Sequence, residues 1–430
     1  MNIAFDVDGV LTDFEWFLDV YGIRYFGSKT KKKIEKKINS DSVADRFGFT
    51  KDWEKRFYRR YLPWYVRKYP IRENASEVLR TLRLQGNKVY IITARALAER
   101  PDVLGKLSRY LLIKWLKRNK VDYDGIYFVS NEDCSEEKFR LAKELMIDVF
   151  VEDNPQNIQR LNSICKVISV KADYNQDIPC FAHALDLVEV YWYINKDTDF
   201  EKLDFREREL LPEEQKIQYI EQLLKYYYAL PFDEEFLTIV EKNIDKALFW
   251  IRRIFCLFFP FKIVKGAFPD SCHKVIFVCN HRSALDIPLC YVVLHPNKAR
   301  ILTKRELEFS ILGNFMRWLG FFFVKREDKK SGKIVQKLMI QTLLHNGNIL
   351  LFPEETRNKT ENKLLPFKMG AVYMAQVTGA PIIPIIIERD IRHSYISIGE
   401  KMYVGILDNL ESANERLHFL MEQMYDGMFG

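Results

Sequence analysis

Short, β-branched apolar runs alternate with longer stretches of helical periodicity through roughly the first 190 residues of this chain. Ile3–Phe5, Lys88–Ile92, Gly125–Val129, Val149–Val151 and Val167–Val170 are the predicted strands. Strands separated by helical stretches argue for a parallel sheet joined by crossover helices. Residues 14 to about 85 interrupt that pattern with a helical, lysine- and aromatic-rich insert, read as a cap. The alternation resumes after Lys274, with predicted strands at Val275–Cys279, Ile301–Thr303, Phe321–Val324, Ile349–Phe352 and Pro381–Ile387. Between the two regions, residues 191–246 are polar and acidic, from Asp197, Asp199 and Glu201 through Glu213 and Glu214 to Asp233, Glu234 and Glu235. That stretch predicts a helical connector, so the pattern reads as two α/β domains on a tether.

Residues 247–262 stand out from both. Ala247 to Phe261 is too short and too basic to span a bilayer, but it is rich in Trp and Phe, with Arg252 and Arg253 placed to snorkel. An interfacial membrane helix is expected here; a helix buried under the second domain is the alternative. No window reaches the ~18 apolar residues of a spanning helix, and no basic n-region precedes an apolar stretch at the start. The chain is therefore expected to be cytoplasmic, peripheral on the inner face of the cell membrane.

Composition narrows this further. A chain of 430 residues exceeds what one core usually organises, and 48% hydrophobic with 29% charged residues excludes a mostly disordered chain. The balance of 66 Lys+Arg against 59 Asp+Glu, a net +7, is too mild to argue for nucleic acid but suits an anionic membrane face. Seven cysteines without a Cys-x-x-Cys pair argue against a disulfide framework and for a reducing compartment.

Candidate chemistry begins at Asp6-Val7-Asp8-Gly9, which sets two carboxylates on one face at a strand end. One can attack a phosphorus while the other moves a proton, and a cation must offset the clustered charge. The same pattern also occurs in calcium loops. Three further elements follow in order: Thr93 at a strand end, Lys138 ten residues before Asp148, and Glu152-Asp153 at another strand end. Together they resemble the haloacid-dehalogenase superfamily of phosphohydrolases, in its branch similar to cytosolic deoxyribonucleotidases, over roughly residues 1–190. The resemblance implies a Rossmann-like parallel sheet with a cap and hydrolysis of a phosphate monoester through an aspartyl phosphate. It makes Asp6 the nucleophile, Asp8 the acid/base, and Thr93 and Lys138 the holders of the phosphoryl group. It implies a Mg²⁺ site of Asp6, Asp8 and Asp153 supported by Glu152. Lys143 competes for the place of Lys138. In the cap, Trp53 to Tyr69 interleaves basic and aromatic residues, which could stack on nucleobases or pack one aromatic face while the cations sit in water; the second is preferred. The lysine run Lys29–Lys37 reads as a solvated helix face.

In the second region, Asn280-His281-Arg282-Ser283-Ala284-Leu285-Asp286 follows a strand. A histidine beside a carboxylate that fixes its tautomer makes a general base near neutral pH. Five residues turn a regular helix by ~500°, about 140° off a shared face, so the pair must straddle a strand-to-helix turn. Cys272, His273, Cys279 and His281 have no spacing that fits a tetrahedral metal site. Downstream lie Pro353-Glu354-Glu355-Thr356-Arg357-Asn358, Lys304 to Leu307, Gly320 to Arg326, and Ala380 to Pro384. In type and order these blocks resemble the glycerolipid acyltransferases of the lysophosphatidic-acid acyltransferase (PlsC-like) family, over about residues 247–400.

That resemblance implies a glycerolipid-acyltransferase α/β domain over 263–430. His281 would take the proton of an acceptor hydroxyl as it attacks an acyl thioester, and Asp286 would orient the imidazole. Arg326 and Arg357 would clamp the acceptor phosphate, with Glu354 and Thr356 shaping the pocket. Glu355 and Asn358 depart from the family, which usually has Gly and Ser there; a carboxylate at 355 would repel a phosphate unless it points away or pairs with Lys359 or Lys363. The expected whole is a bifunctional phospholipid enzyme using acyl-CoA or acyl carrier protein, a lysophospholipid acceptor and Mg²⁺, with a membrane surface and no nucleic acid as partner. An independent 5'-nucleotidase, or one inert domain acting as a membrane tether or regulator, is the alternative.

Overall fold

The computed structural model describes residues 1–95, 98–196, 205–309, 312–326, 328–390 and 393–428, and the side chains of all of these except 196, 205, 206, 254–256 and 309. Asp197, Asp199 and Glu201 of the expected connector lie outside the described residues. The chain divides into two compact units, Met1–Asp199 with Leu230–Phe232, and Phe200–Ala229 with Asp233–Gly430.

In the first unit the strands are β1 (Asn2–Phe5), β2 (Lys88–Thr93), β3 (Gly125–Phe128), β4 (Val149–Glu152), β5 (Lys166–Val170) and β6 (Ala182–Ala184). They form one parallel sheet in the order β3-β2-β1-β4-β5-β6. A cap of α1 (Phe14–Thr30), α2 (Val43–Phe47) and α3 (Lys51–Lys68) follows β1. The crossover helices are α4 (Ala75–Leu84), α5 (Val103–Arg118), α6 (Cys134–Glu144) and α7 (Pro155–Leu161), with α8 (Leu187–Lys196) closing the unit. Ile3 and Phe5 share a core with Leu79 of α4 and Trp115 of α5, whereas Ala4 shares one with Ala142 of α6 and Ile158 of α7. Both sheet faces are covered, which is why β1 reads as a continuous apolar run rather than an alternating one.

The cap is shorter than expected. Ala75, Val78, Leu79 and Leu82 of α4 lie in the sheet core, so α4 belongs to the sheet and not to the insert. The lysine run is not a helix face either: α1 stops at Thr30, where Lys31 takes a left-handed φ of 54°, and most of the following lysines are exposed. The aromatics of α3 are packing residues, with Tyr65 4.4 Å and Phe57 5.6 Å from Phe17 between ring centres. Lys55, Arg59 and Arg60 are exposed.

The second unit opens with α9 (Phe205–Glu209), α10 (Glu213–Ala229) and α11 (Glu234–Phe258). Its strands are β7 (Phe261–Lys265), β8 (Ile276–Cys279), β9 (Arg300–Lys304), β10 (Phe322–Val324), β11 (Ile349–Leu351), β12 (Ile382–Arg389) and β13 (Ser394–Ile398). They stand in the order β10-β9-β11-β8-β12-β13-β7, parallel except for β12 against β13. The helices are α12 (Asp286–Leu294), α13 (Gly313–Trp318), α14 (Lys329–Leu344), α15 (Gly370–Thr378) and α16 (Leu410–Asp426).

The expected connector is divided differently. α8 stays with the first sheet, while α10 packs on α14 and α15, and α11 packs on α12. Val240, Ile244, Ala247 and Leu248 enter the core of the second unit. The segment 247–262 is therefore the end of a longer packed helix followed by the start of β7, with Phe249, Trp250, Leu257 and Phe258 exposed. Among the described residues no helix is long and apolar enough to cross a membrane.

Candidate active sites

In the first sheet the chain builds β1, β2 and β3 outward on one side and then returns to place β4 on the other side of β1. The crevice outside the carboxyl ends of the strands at such a reversal is where open α/β sheets bind ligands. Asp6 follows β1, Thr93 ends β2, and Glu152 with Asp153 ends β4, so adjacent strand ends deliver all four. Asp6, Thr93, Glu152 and Asp153 are buried.

Lys138, on α6, has no exposed surface and donates to Asp6 Oδ2 at 2.7 Å and to Glu152 Oε2 at 2.6 Å. Burial opposes its charge, but the Asp6 and Glu152 carboxylates outweigh it and hold the ammonium protonated. Lys143, the competing candidate, is exposed beside the Phe139 ring. Asp6 Oδ1 accepts from the Val7 amide at 2.6 Å. Asp153 accepts from the Tyr174 hydroxyl, and its carboxyl is pushed well up by burial and by Glu152 and Asp6.

Asp6, Glu152 and Asp153 each bring a carboxylate oxygen within 4.8 Å of the others. Three buried acids against one ammonium leave an excess of negative charge that suits a hard, oxygen-liganded divalent cation. Glu152 accepts from three donors, Lys138 on Oε2 and the amides of Asp153 and Asn154 on Oε1 (3.2 and 3.1 Å), against two on Asp6 (Lys138 and the Val7 amide), so Asp6 and Asp153 are the less committed donors and Glu152 stands behind them. Asp8 is not part of this trio. Its Oδ1 accepts from Tyr65 at 2.8 Å, and Arg95 Nη2 lies 3.7 Å away. Burial raises the Asp8 carboxyl more than Arg95 lowers it, which favours a group that carries a proton.

Three features of this centre escaped the sequence reading. Arg95 is 1% exposed and lies over the Tyr65 ring, and its Nε and Nη1 have no hydrogen-bond partner among the described residues. Tyr65 reaches in from the cap, its hydroxyl 2.6 Å from that of Thr12. Gly9 takes φ +83°, and a Cβ there would lie 1.9 Å from Asp153 Oδ2. The loop after Asp6 can pass against Asp153 only as glycine.

In the second sheet β8 is central. Asn280 continues its ladder by side chain, accepting from the Ile387 amide at 2.8 Å and donating to the Ile387 carbonyl at 2.9 Å. His281 follows in the turn, and Asp286 opens α12. His281 Nδ1 lies 3.0 Å from Asp286 Oδ2, which also accepts from the amides of Arg282 (2.8 Å) and Ser283 (2.7 Å). A carboxylate only accepts, so Nδ1 carries the hydrogen and Nε2 is left as the free base. Arg389, at the end of β12, places Nη1 2.6 Å from Asp286 Oδ1. Burial works against the Asp286 charge, but the His281, Ser283 and Arg389 contacts prevail and hold its carboxyl below the ordinary range.

Glu354 is buried, and its two oxygens accept from the amides of His281 (2.8 Å) and Leu365 (2.9 Å). It positions the histidine backbone rather than lining a pocket. Thr356, Arg357 and Arg326 are exposed. Arg357 follows β11, next to β8, and Arg326 follows β10, three strand spacings from β8, or ~14 Å. Glu355 takes φ +54°, a region glycine enters freely, and its exposed carboxylate pairs with neither Lys359 nor Lys363 among the described residues. Asn358 donates from its amide to the His281 carbonyl at 2.6 Å, and its side chain ties down the loop at Thr360 and Asn362. Asn280 and Arg389 were not singled out from sequence; a charged residue ending the buried run of β12 was the available signal.

Residues 265–388 match the family model described as Acyltransferase. Among curated proteins, a 1-acyl-sn-glycerol-3-phosphate acyltransferase of Helicobacter pylori is 35% identical over 128 residues, 30% of this chain and 53% of that one. The 1-acyl-sn-glycerol-3-phosphate acyltransferase alpha of Homo sapiens is 37% identical over 127 residues, 29% of this chain and 44% of that one. The chain thus spans about half the length of the curated relatives it matches. Among solved structures, the acyltransferase PlsC of Thermotoga maritima matches at 20% identity and a TM-score of 0.34, over 52% of this chain and 85% of that one. A predicted phosphoglycolate phosphatase of Haemophilus somnus matches at 16% identity and a TM-score of 0.31, over 45% of this chain and 97% of that one.

Proposed function

We propose that the chain, whose residues 265–388 match the family model described as Acyltransferase, is a bifunctional phospholipid enzyme: it acylates a lysophosphatidic-acid-type acceptor at His281 and hydrolyses a phosphate monoester at Asp6. The observation that carries the reading is the His281 Nδ1–Asp286 contact of 3.0 Å, which leaves Nε2 as the free base. Nε2 takes the proton of the acceptor hydroxyl as the oxygen attacks the carbonyl of acyl-CoA or acyl-carrier-protein thioester. The C–S bond breaks, the thiolate leaves, and the proton follows it. Asp286 holds the imidazole and stabilises its protonated form, while Asn280 and Glu354 fix the backbone on either side. The exposed Arg357 and Arg326 present planar forks to the acceptor phosphate. The position of Glu355 in solvent supports a site whose phosphate clamp is not opposed by a buried anion.

At the first centre, Asp6 attacks phosphorus and Asp8 gives its proton to the departing oxygen; water, losing its proton to Asp8, then attacks the aspartyl phosphate, so that phosphate leaves and both carboxyl groups are restored. Lys138 and Thr93 hold the phosphoryl group, and Arg95, with two uncommitted N–H groups, is added to them. Asp6 and Asp153 are the residues that would hold Mg²⁺, which when bound neutralises phosphoryl charge. The exposed aromatic end of α11 supports attachment to a lipid surface at the cytoplasmic face.

Two assays test the reading. Thiol release from acyl-CoA that depends on lysophosphatidic acid and disappears in His281→Ala is expected. Phosphate release from phosphatidate that requires Mg²⁺ and disappears in Asp6→Asn is expected. Deoxynucleoside monophosphates cleaved faster than any lipid phosphate would instead make the first centre an independent nucleotidase.

A further inference from the structure

Helix α5 presents an unusual outward face. Leu112, Trp115 and Leu116 are buried in the sheet core, as an amphipathic crossover helix requires. Yet Val103, Leu107 and Tyr110 on the opposite side, and Leu104 and Ile113 on its flanks, are 41–78% exposed. At ~100° per residue Val103, Leu107 and Tyr110 fall within about 60° of one another, so they form a stripe and not scattered contacts. The charged residues beside the stripe have one sign. Lys106, Lys114, Lys117 and Arg118 are exposed, and α5 contains no acidic residue. Asp102, which caps the helix, is already engaged by the Gly105 amide at 2.9 Å and by Arg100 at 2.5 Å. Arg118 donates to the Arg67 carbonyl at 2.8 Å, which joins this face to the exposed Arg67 and Lys68 at the end of α3.

We propose that this outward face of α5 docks on an anionic lipid bilayer. Charge and apolarity together select that occupant. An anionic bilayer accepts the apolar side chains below its headgroups while the lysines snorkel to the phosphates. A nucleic acid would take the basic residues but leave five apolar side chains in water. A second copy of the face would bring like charges together. The surface is distinct from the exposed end of α11 and does not depend on the substrate of either centre.

The test is flotation of the full chain with vesicles of phosphatidylcholine, alone or mixed with phosphatidylglycerol. The variants are Leu104→Glu/Leu107→Glu, Lys114→Glu/Lys117→Glu, and Phe249→Glu/Trp250→Glu for the α11 end. Both α5 variants should retain wild-type hydrolysis of p-nitrophenyl phosphate, which reports that the unit is folded. Each should bind the anionic vesicles at least about tenfold more weakly, in addition to any loss from the α11 variant. Unchanged vesicle binding in both α5 variants would overturn the proposal, even if the α11 variant loses binding. So would sedimentation showing a dimer that Leu104→Glu/Leu107→Glu dissociates, since the face would then bind a second copy.

Discussion

Lys138 has two ionic partners and no solvent, so it is a neutralising group and a structural one at once. Lys138→Met would leave Asp6 and Glu152 buried without their cation, a loss of about 3–5 kcal/mol in stability along with phosphate release. Lys143→Met, at an exposed position, should change neither; denaturant unfolding of the two variants checks this. At the second centre the depressed carboxyl of Asp286 carries a sign. Its contribution is present above the ordinary carboxylate pKa of about 3.9 and is lost as pH falls through the lower folded value. The stability gap between wild type and Asp286→Asn should therefore be wide at neutral pH and close only below about pH 4 in acid titrations. Glu354→Gln offers one carbonyl oxygen to two amides and should cost about 1–3 kcal/mol, read by thermal unfolding, with loss of acyl transfer. Asp6, Glu152, Asp153 and His281 were legible as candidates because each ends or follows a strand, in a fixed order along the chain. Arg95 and Arg389 were not. Each looks like an ordinary charged residue until the fold shows Arg95 buried beside Asp8, and Arg389 against Asp286.

Among the elements, the loop after β1 is the most constrained. Gly9→Ala would meet Asp153 at van der Waals overlap and force a left-handed φ on a residue with a Cβ. Phosphate release should fall by ~10²-fold or more, the scale of losing a positioned acid–base group, while thiol release from acyl-CoA is unaffected. The buried parallel strands were legible as apolar runs, because both faces of each sheet are covered. β6, β7 and β13 were not. β6 is Ala182-His183-Ala184, too short and mixed to show a period. β7 is exposed at a sheet edge and begins inside an aromatic run that reads as a lipid-facing helix. β13 is Ser394-Tyr-Ile-Ser-Ile398, whose pairing with β12 is antiparallel in an otherwise parallel pattern. The acidic stretch hid α10 and α11 as packed helices, since a wide polar face masks a narrow buried stripe.

At the scale of the whole molecule the candidate residues of each centre belong to one unit: Asp6, Asp8, Lys138 and Asp153 to the first, His281, Asp286, Glu354 and Arg389 to the second. The activities should therefore separate. A chelator that strips Mg²⁺ is expected to abolish phosphate release and leave acyl transfer intact, and His281→Ala should do the reverse. The account's central claim, that one chain both acylates and dephosphorylates lipid, meets its most direct test in mass spectrometry of products. Purified protein would receive lysophosphatidic acid, acyl-CoA and Mg²⁺ in detergent micelles, beside His281→Ala and Asp6→Asn. The account predicts phosphatidate and diacylglycerol from wild type, phosphatidate alone from Asp6→Asn, and neither acylated product from His281→Ala. No acylated product from folded wild-type protein, or phosphatidate that persists in His281→Ala, would contradict it.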